Sequence, residues 1–529
     1  MNLLRAILLN LLMITALFSS DFEQDVIKLI DADNFNTKQT VIKELAAMYQ
    51  VDPRLSLMLS KMLEGALYMT EGKTLVYAQV QDKPEQGIKA LLNNEIVQIP
   101  VHQLVKVTIN NKLRNIIKSS LVTLNLSSKD KYVRLASAKE MMETIEESNV
   151  ALVKSALEKE NDKDVNKLLN ENLLILKAKF ASGEEQLQAV NALSDSLSVK
   201  ALQILNELQN TQDKKLNTAV ISSIKSIEMS RKMYSFVETA FFGVSLGSVL
   251  LLAAIGLAIT FGVMKIINMA HGELMMLGAY ATYSIQQLFP QWIEYSVLLA
   301  IPVAFLVSAL VGMLIERCVL QYLYGRPLEA LLATFGISLI LQQIVRSIYS
   351  PLNQEVKTPQ WMSGALEING ALSLTYNRLY IVVFALMVFT FVVLILKKTS
   401  LGLKVRAVSQ NRAIARAMGI KTHWVDAITF GIGSGIAGVA GVALSQLTNV
   451  GPNLGQAYIV DSFMVVVFGG VGNLWGTLIA ALTLGEINKF IEPLAGAVLA
   501  KVIILVFIIL FIQKRPRGLF PQKGRDAED

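Results

Sequence analysis

The amino-acid sequence predicts an all-α polytopic membrane protein with about eight or nine transmembrane segments, preceded by a mainly helical extracytoplasmic domain. The 529-residue chain is 53% hydrophobic, and its longest apolar runs are concentrated in residues 236–513, where short polar loops separate them. A helix needs about 20 apolar residues to cross the hydrocarbon core of a bilayer, because it rises about 1.5 Å per residue. Residues 21–235 are instead mixed and charged, which is typical of a water-soluble domain.

Residues 1–20 have the layout of a signal peptide or a signal anchor. Arg5 precedes an apolar run at residues 6–18, and small residues then lead to Asp21. A basic start, a short apolar middle and a small-residue end are typical of export signals. The end is not a clean A-x-A triplet, so a cleaved peptide and an uncleaved anchor stay open. Both alternatives place residues 21–235 outside the cytoplasm.

The water-soluble region is predicted to be mostly helical, with two or three strands. Apolar residues recur at helical spacing between residues 41 and 62. Extended apolar stretches at residues 75–77, 96–99 and 105–109 predict the strands.

From Lys129 onward, a weak repeat opens helices at Asp130, Asp162, Ser182 and Thr211. This spacing is close to that of HEAT-type helical pairs, whose arrays present surfaces to partners. Ordinary helix pairs without a repeat ancestry explain the pattern equally well.

Residues 236–513 divide into nine apolar segments. The segment at 457–471 is short and ends in Gly469-Gly470-Val471-Gly472, so it either spans or re-enters, and eight full crossings are an equal alternative. The segments lie near residues 236–263, 266–288, 296–320, 330–349, 378–396, 423–447, 457–471, 475–492 and 495–513.

Basic residues set the predicted orientation. Residues 397–421 hold seven lysines and arginines and no acid, and the tail at 514–529 is also rich in them. Both are expected on the cytoplasmic side, because cytoplasmic loops carry an excess of Lys and Arg. Nine crossings that start outside end inside, which agrees with an exported N-terminal domain. The net charge of +7 is therefore interpreted as topology and not as nucleic-acid binding.

Polar residues inside the apolar segments are the candidate site. Asn268, His271 and Glu273 fall within about one and a half helical turns of a strongly apolar run, and Thr334 and Gln342 lie inside a later segment. Such side chains are costly in lipid and usually face protein, a cavity or a pathway. We predict that these five residues line or support a substrate path, with a helix-packing cluster as the alternative.

No catalytic, metal or cofactor site is predicted. His271-Gly272-Glu273 lacks the H-E-x-x-H spacing of zinc proteases, and no second metal-ligand cluster accompanies it. Gly72-Lys73-Thr74 matches only the end of a P-loop, because Leu67 stands where the first glycine is needed. The chain is therefore expected not to hydrolyse ATP itself. The single cysteine, Cys318, excludes an internal disulfide.

Small residues four apart in the apolar segments predict close helix packing. The stretch from Gly433 to Gly438 also spells G-x-G-x-x-G, but it lies in an apolar helix with no preceding strand, so a dinucleotide site is disfavoured. The glycines assigned to packing are Gly431, Gly435, Gly438, Gly469, Gly470 and Gly472.

The basic loop at residues 401–421 has helix-like order. Leu403, Ala407, Ile414, Ala415 and Met418 can form an apolar face, with the basic side chains outside it. The loop is predicted to be a short helix that docks into a cytoplasmic partner, and a helix lying on anionic lipid is the alternative. The residues assigned to the partner contact are Ala407, Arg412, Ile414, Arg416, Met418 and Gly419.

Three motifs resemble the LivH-type permeases of ABC importers: Ile267-Asn268-Met269-Ala270-His271-Gly272-Glu273 with the glycines before it, residues 406–420, and Phe468-Gly469-Gly470-Val471-Gly472-Asn473. They occur in order within residues 236–520. The resemblance implies an ABC permease in a bacterial inner membrane. Its expected partners are a second, LivM-like permease subunit, two cytoplasmic ABC ATPases and a periplasmic solute-binding protein. The basic loop would then be the coupling segment that receives ATPase movement.

The resemblance also bears on the substrate. The long N-terminal region and residues 332–343 and 359–364 look like those of urea permease subunits of the UrtB type, so urea import is the main expectation. Import of branched-chain amino acids or amides is the alternative. A passive urea channel and a membrane-anchored sensor stay open as different classes of protein.

Overall fold

The computed structural model divides the chain into two compact units, Met1–Ser230 and Arg231–Asp529. The export signal at residues 1–20, Gly72-Lys73 of the P-loop-like stretch and the tail beyond residue 520 lie outside the described residues. The described residues are 22, 25–28, 34–49, 52–70, 74–78, 87–91, 95–97, 99–143, 145–147 and 149–520.

In its described residues, the first unit contains a five-stranded antiparallel sheet with the order β4-β3-β2-β1-β5. The sequence predicted only two or three strands, and this prediction was too low. The strand Leu67–Thr70 was missed because it is almost wholly buried, so that it lacks the polar–apolar alternation of a half-buried strand. The strands are β1 (Leu67–Thr70), β2 (Leu75–Ala78), β3 (Ile88–Ala90), β4 (Ile96–Val97) and β5 (Leu104–Lys106).

Among the described residues of this unit, three helices contribute to a hydrophobic core, together with Phe22, Val26 and the sheet residues Leu67 and Tyr77. Each begins at a side chain that caps its free N–H groups, namely Asn34, Asp52 and Asn110. The helices are α1 (Phe35–Met48), α2 (Pro53–Leu63) and α3 (Asn111–Asn125).

Successive helices make up the rest of the first unit. The helix starts predicted near Asp130 and Asp162 are confirmed, because both carboxylates cap a helix. Lys131 bridges the two starts, with its Nζ 2.7 Å from Asp164 and 3.0 Å from Asp162. A HEAT-type ancestry stays a prediction. The helices are α4 (Lys131–Met141), α5 (Asn149–Lys159), α6 (Lys163–Phe180), α7 (Glu184–Ala192) and α8 (Val199–Glu207).

In the part of the chain that the structure describes, all nine predicted apolar segments are helical. The first segment belongs to a longer helix, because the polar residues before the apolar run are also helical. Residues 214–230 of this helix fall in the first unit. The helices of the nine segments are α9 (Lys214–Met264), α10 (His271–Leu288), α11 (Ile293–Cys318), α12 (Pro327–Tyr349), α13 (Tyr376–Lys398), α16 (Thr422–Ser445), α17 (Leu454–Gly469), α18 (Leu474–Ala495) and α19 (Ala497–Lys514).

Six of these nine are long and apolar enough to cross a membrane. The exceptions by these criteria are α10, α17 and α18, and α17 is the short segment that the sequence left open as spanning or re-entrant.

Smaller elements connect the long helices. The loop between α12 and α13 contains a hairpin of β6 (Ala365–Asn369) and β7 (Leu372–Thr375). The basic loop forms two helices, α14 (Ser400–Gln410) and α15 (Arg412–Ala417). Short 3-10 turns occur at Val101–Gln103, Leu193–Asp195, Pro290–Trp292, Leu320–Tyr322 and Gln360–Met362.

Helix α16 is the buried centre of the second unit, and α10 and α11 pack along it. The backbones approach closely here, since a Cβ added to Gly438 would lie 2.5 Å from the Ala304 carbonyl oxygen. A Cβ on Gly435 would lie 2.6 Å from the Phe305 ring, and one on Gly431 would lie 2.7 Å from the Met313 side chain. Glycine at these positions allows membrane helices to approach closely.

The glycines at 469–472 lie at the turn between α17 and α18. Gly470 and Gly472 have φ angles of +103° and +78°, which favour glycine. A Cβ on Gly469 would lie 2.5 Å from the Gly476 carbonyl oxygen. Turn geometry as well as packing therefore accounts for glycine at these positions.

Candidate functional site

Helix α10 begins inside the helix bundle. Its first residue, His271, lies beside Gly256 of α9, where an added Cβ would be 2.9 Å from the imidazole ring. Gly256 lies eight residues before α9 ends at Met264, which is about 12 Å along a helix. Residues 265–270 are not helical and therefore return the chain into the bundle. The N-terminus of α10 is thus buried among other helices, where the His271 and Glu273 N–H groups donate to the Asn268 and Ala270 carbonyl oxygens.

Two polar side chains satisfy the turn before α10. The Asn268 Oδ1 accepts a hydrogen bond from the Ala270 N–H at 3.0 Å, and the Thr334 Oγ1 accepts one from the Met269 N–H at 3.1 Å. Thr334 belongs to α12, so the turn is tied to that helix. Asn268 and Thr334 are both buried.

Glu273 is held by the same helix. Its Oε1 accepts hydrogen bonds from the Ser338 Oγ at 3.0 Å and from the Gln342 Nε2 at 2.7 Å. Thr334, Ser338 and Gln342 are each four residues apart, so they form one stripe on α12, which we call the α12 stripe. Ser338 was not predicted from the sequence, although its helical spacing between Thr334 and Gln342 could have indicated it.

His271 points elsewhere. Its Nε2 lies 2.9 Å from the Ala253 carbonyl oxygen of α9, and its ring is fully buried. The structure therefore brings Asn268, Glu273, Thr334 and Gln342 together around α12, while His271 packs against α9.

Several buried polar atoms of this region have no hydrogen-bond partner among the described residues. They are the Asn268 Nδ2, the His271 Nδ1, the Glu273 Oε2 and, two turns along α10, the Tyr280 hydroxyl. Each such group costs about 1–3 kcal/mol, and in native proteins it calls for an explanation. The Asn268 Nδ2 is thus an unused donor, and the Glu273 Oε2 an unused acceptor, among the described residues.

A second polar region is a cavity of about 170 Å³ among α9, α17, α18 and α19. Two ion pairs line it: Lys501 with Asp461 at 2.9 Å and Lys489 with Glu492 at 2.6 Å. Its charged groups are paired with each other.

The basic loop departs from its prediction. The sequence predicted one helix with one apolar face, but the chain breaks at Asn411, whose Oδ1 accepts a hydrogen bond from the Ile414 N–H at 3.0 Å and starts α15. Ala415 of the predicted face is buried, whereas Leu403, Ile414 and Met418 are 63%, 59% and 79% exposed. The predicted face is therefore split between the protein interior and the surface.

Arg412 is also placed differently from its prediction as a partner contact outside the apolar face. Its Nη2 donates to the Oδ1 of buried Asp426 at 2.9 Å. Asp426 lies about one turn after the start of α16 and faces α15 there. Arg416 is exposed. Gly419 has a φ of +83°, and the Ile420 N–H donates to the Ala415 carbonyl, a C-cap that ends α15.

The Arg412 guanidinium stacks 4.5 Å from the centre of the Tyr324 ring. The Tyr324 hydroxyl donates to the Oε1 of buried Glu316 at 2.6 Å. Burial and this hydrogen bond raise the pKa of Tyr324, so the phenol stays protonated and remains a donor.

Long apolar helices around a buried polar cluster are the features of a membrane transport protein. The chain belongs to the family described as "Branched-chain amino acid transport system / permease component", which matches residues 239–512.

Individual relatives agree with this assignment. The high-affinity branched-chain amino acid transport system permease protein LivH of Salmonella typhimurium is 30% identical over 302 residues, which are 55% of this chain and 97% of the relative. The corresponding permease BraD of Pseudomonas aeruginosa is 28% identical over 297 residues, which are 54% of this chain and 96% of the relative. A probable LivH of Methanocaldococcus jannaschii is 28% identical, covering 51% and 88%. No solved structure matches the chain.

These relatives are permeases, in line with the expectation of a transport subunit. Their names specify branched-chain amino acids and not urea, so they favour the alternative substrate over the main expectation. The first unit lies before the matched residues 239–512.

Proposed function

We propose that the chain is a transmembrane permease subunit of an ATP-driven ABC importer for branched-chain amino acids or related amides. The family match over residues 239–512 carries this proposal. The buried polar cluster on α10 and α12 supports it, because buried polar groups in a membrane bundle mark solute paths.

In this proposal the amino acid binds at the start of α10. A helix N-terminus has a partial positive charge, and broken helices in transporters direct such ends at anionic substrate groups. Asn268 Nδ2 adds a donor for a carboxylate, and Glu273 Oε2 offers an acceptor for an ammonium group. Asn268, Glu273, Thr334 and Gln342 are the path residues in this proposal. His271 has a supporting role through α9.

Urea is the second candidate, and one observation favours it. The relatives are covered almost completely by little more than half of this chain, so the first unit is additional to them. A long N-terminal region of this kind is what resembles urea permease subunits. Urea has no net charge and would bind through hydrogen bonds alone.

The proposal includes partners and a location. A second, LivM-like permease subunit would complete the path, two cytoplasmic ATPases would supply the work, and a periplasmic binding protein would deliver the solute. Exposed Ile414 and Met418 of the basic loop would contact the ATPases. The protein would lie in the bacterial inner membrane, with residues 21–235 in the periplasm.

Uptake by cells lacking their own leucine and urea transport tests this function. Cells that express the chain with its partners should accumulate radiolabelled leucine, and ATP depletion should abolish the accumulation. Urea uptake that ends on ATP depletion would instead favour the second candidate. Urea flux that survives ATP depletion would indicate a passive channel and contradict both.

A further inference from the structure

Four side chains join the basic loop to the N-terminal end of α12. Arg412 binds Asp426 at 2.9 Å and stacks on Tyr324, and Tyr324 donates to Glu316 at 2.6 Å. We call Arg412, Asp426, Tyr324 and Glu316 the Arg412 cluster. Its members come from α15, α16, the linker before α12 and the last turns of α11, so that it connects four separate segments.

The Arg412 cluster contains two buried carboxylates, each of which accepts a hydrogen bond from another member. Asp426 and Glu316 are almost fully buried, and a buried carboxylate that loses its partner is strongly destabilising. Asp426 accepts its side-chain hydrogen bond from Arg412, and Glu316 accepts one from Tyr324, while the Arg317 Nε lies 3.8 Å from the other Glu316 oxygen. A displacement of α15 therefore draws the other segments with it or breaks these contacts.

Helix α12 carries the connection to the candidate site. It begins three residues after Tyr324, at Pro327, and its stripe at Thr334, Ser338 and Gln342 holds Asn268's turn and Glu273. From Pro327 to Gln342 the helix extends about 22 Å. Its buried positions are few, since most of its large apolar side chains are exposed in this chain. Its attachment to α10 combines these hydrogen bonds with ring contacts of Tyr349 to Tyr280 and Tyr283, and the hydrogen bonds can break and form again.

We infer that the residues of the Arg412 cluster are positioning residues, which transmit movement of α14 and α15 through α12 to the hydrogen bonds of Glu273. The inference rests on the proposed function, since the ATPases supply that movement. It assigns Arg412 an internal role in place of a direct contact with the ATPase.

Two pairs of variants test the inference in the assembled transporter. Tyr324→Phe removes only the hydroxyl that holds Glu316, and its control is Tyr322→Phe, whose ring is 73% exposed. Arg412→Gln removes the pairing with Asp426, and its control is Lys404→Gln, an exposed charge on α14. The measurements are co-purification with the ATPases, ATP hydrolysis and leucine uptake.

Both cluster variants should retain the ATPases and ATP hydrolysis, but move about tenfold less leucine per ATP hydrolysed, a change that corresponds to about 1.4 kcal/mol. Both controls should match the parent. A purely structural role would lower assembly, hydrolysis and uptake together without changing their ratio, and that result would overturn the inference.

Arg412→Lys keeps the test decisive if Arg412→Gln fails to assemble. Lysine retains the charge but not the planar fork of guanidinium, so it should also lower the ratio of uptake to hydrolysis. An unchanged ratio in Arg412→Lys and Tyr324→Phe, with the parent active, would refute the Arg412 cluster and leave the proposed function standing. A parent with no ATP-dependent uptake would refute both.

Discussion

Replacing Gln342 tests the candidate path directly. The Gln342 Nε2 donates to the Glu273 Oε1 at 2.7 Å inside the bundle. Gln342→Leu is similar in size and removes this donor, which leaves Ser338 as the remaining donor to that oxygen. A hydrogen bond contributes about 0.5–1.5 kcal/mol. If transport requires Glu273 in this position, uptake should fall roughly 2- to 10-fold, since 1.4 kcal/mol corresponds to a factor of ten.

The matched control is Gln343→Leu, one residue further along α12. Gln343 is exposed, so this variant makes the same chemical change away from Glu273. Uptake of radiolabelled leucine is normalised to the amount of assembled complex in the membrane. Equal uptake by both variants and the parent would show that the Glu273 contact serves packing alone, and the path assignment would then be wrong.

Three further predictions concern coupling, orientation and packing. Ile414→Asp combined with Met418→Asp should separate ATP hydrolysis from uptake, because it places charge on the exposed docking surface; unchanged coupling would refute docking there. Alkaline phosphatase fused after residue 200 should be active and a C-terminal fusion inactive, whereas the opposite pattern would invert the orientation. Gly438→Ala should lower the stability of the folded protein by about 1–3 kcal/mol, because the added methyl group overpacks the helix contact; thermal unfolding in detergent measures this. Gly336→Ala, with no atom within 4 Å of its added Cβ, should leave the stability unchanged.

The long helices were predictable because apolar runs of membrane length leave a strong signal in the sequence. Two early strands were missed, since β1 is almost wholly buried and β3 has only three residues. The inward start of α10 also escaped prediction. The run from 266 to 288 is mainly apolar and is predicted as one segment, because composition alone does not show that its first five residues are a non-helical turn.

The candidate site was predictable in composition but not in pairing. Asn268, Glu273, Thr334 and Gln342 stood out because polar residues are rare in such segments, and the structure brings them together. The contact between Arg412 and Asp426 joins residues on different helices, and no local spacing rule encodes it. Arg412 therefore looked like one more basic residue of a cytoplasmic loop.

The close backbone contacts of α10 limit how this bundle can change in evolution. A Cβ on Gly278 would meet the Gly438 backbone, and a Cβ on Gly272 or Gly455 would meet the backbone of the other, so that at Gly272, Gly278 and Gly455 the obstructing atoms are backbone. A side chain gained at one of these glycines cannot be accommodated by shortening its neighbour, because the neighbour already has none. We therefore expect no compensatory substitution to restore a variant at these positions. Only a shift of a whole helix would do so, and such a shift would also move Glu273 relative to Gln342.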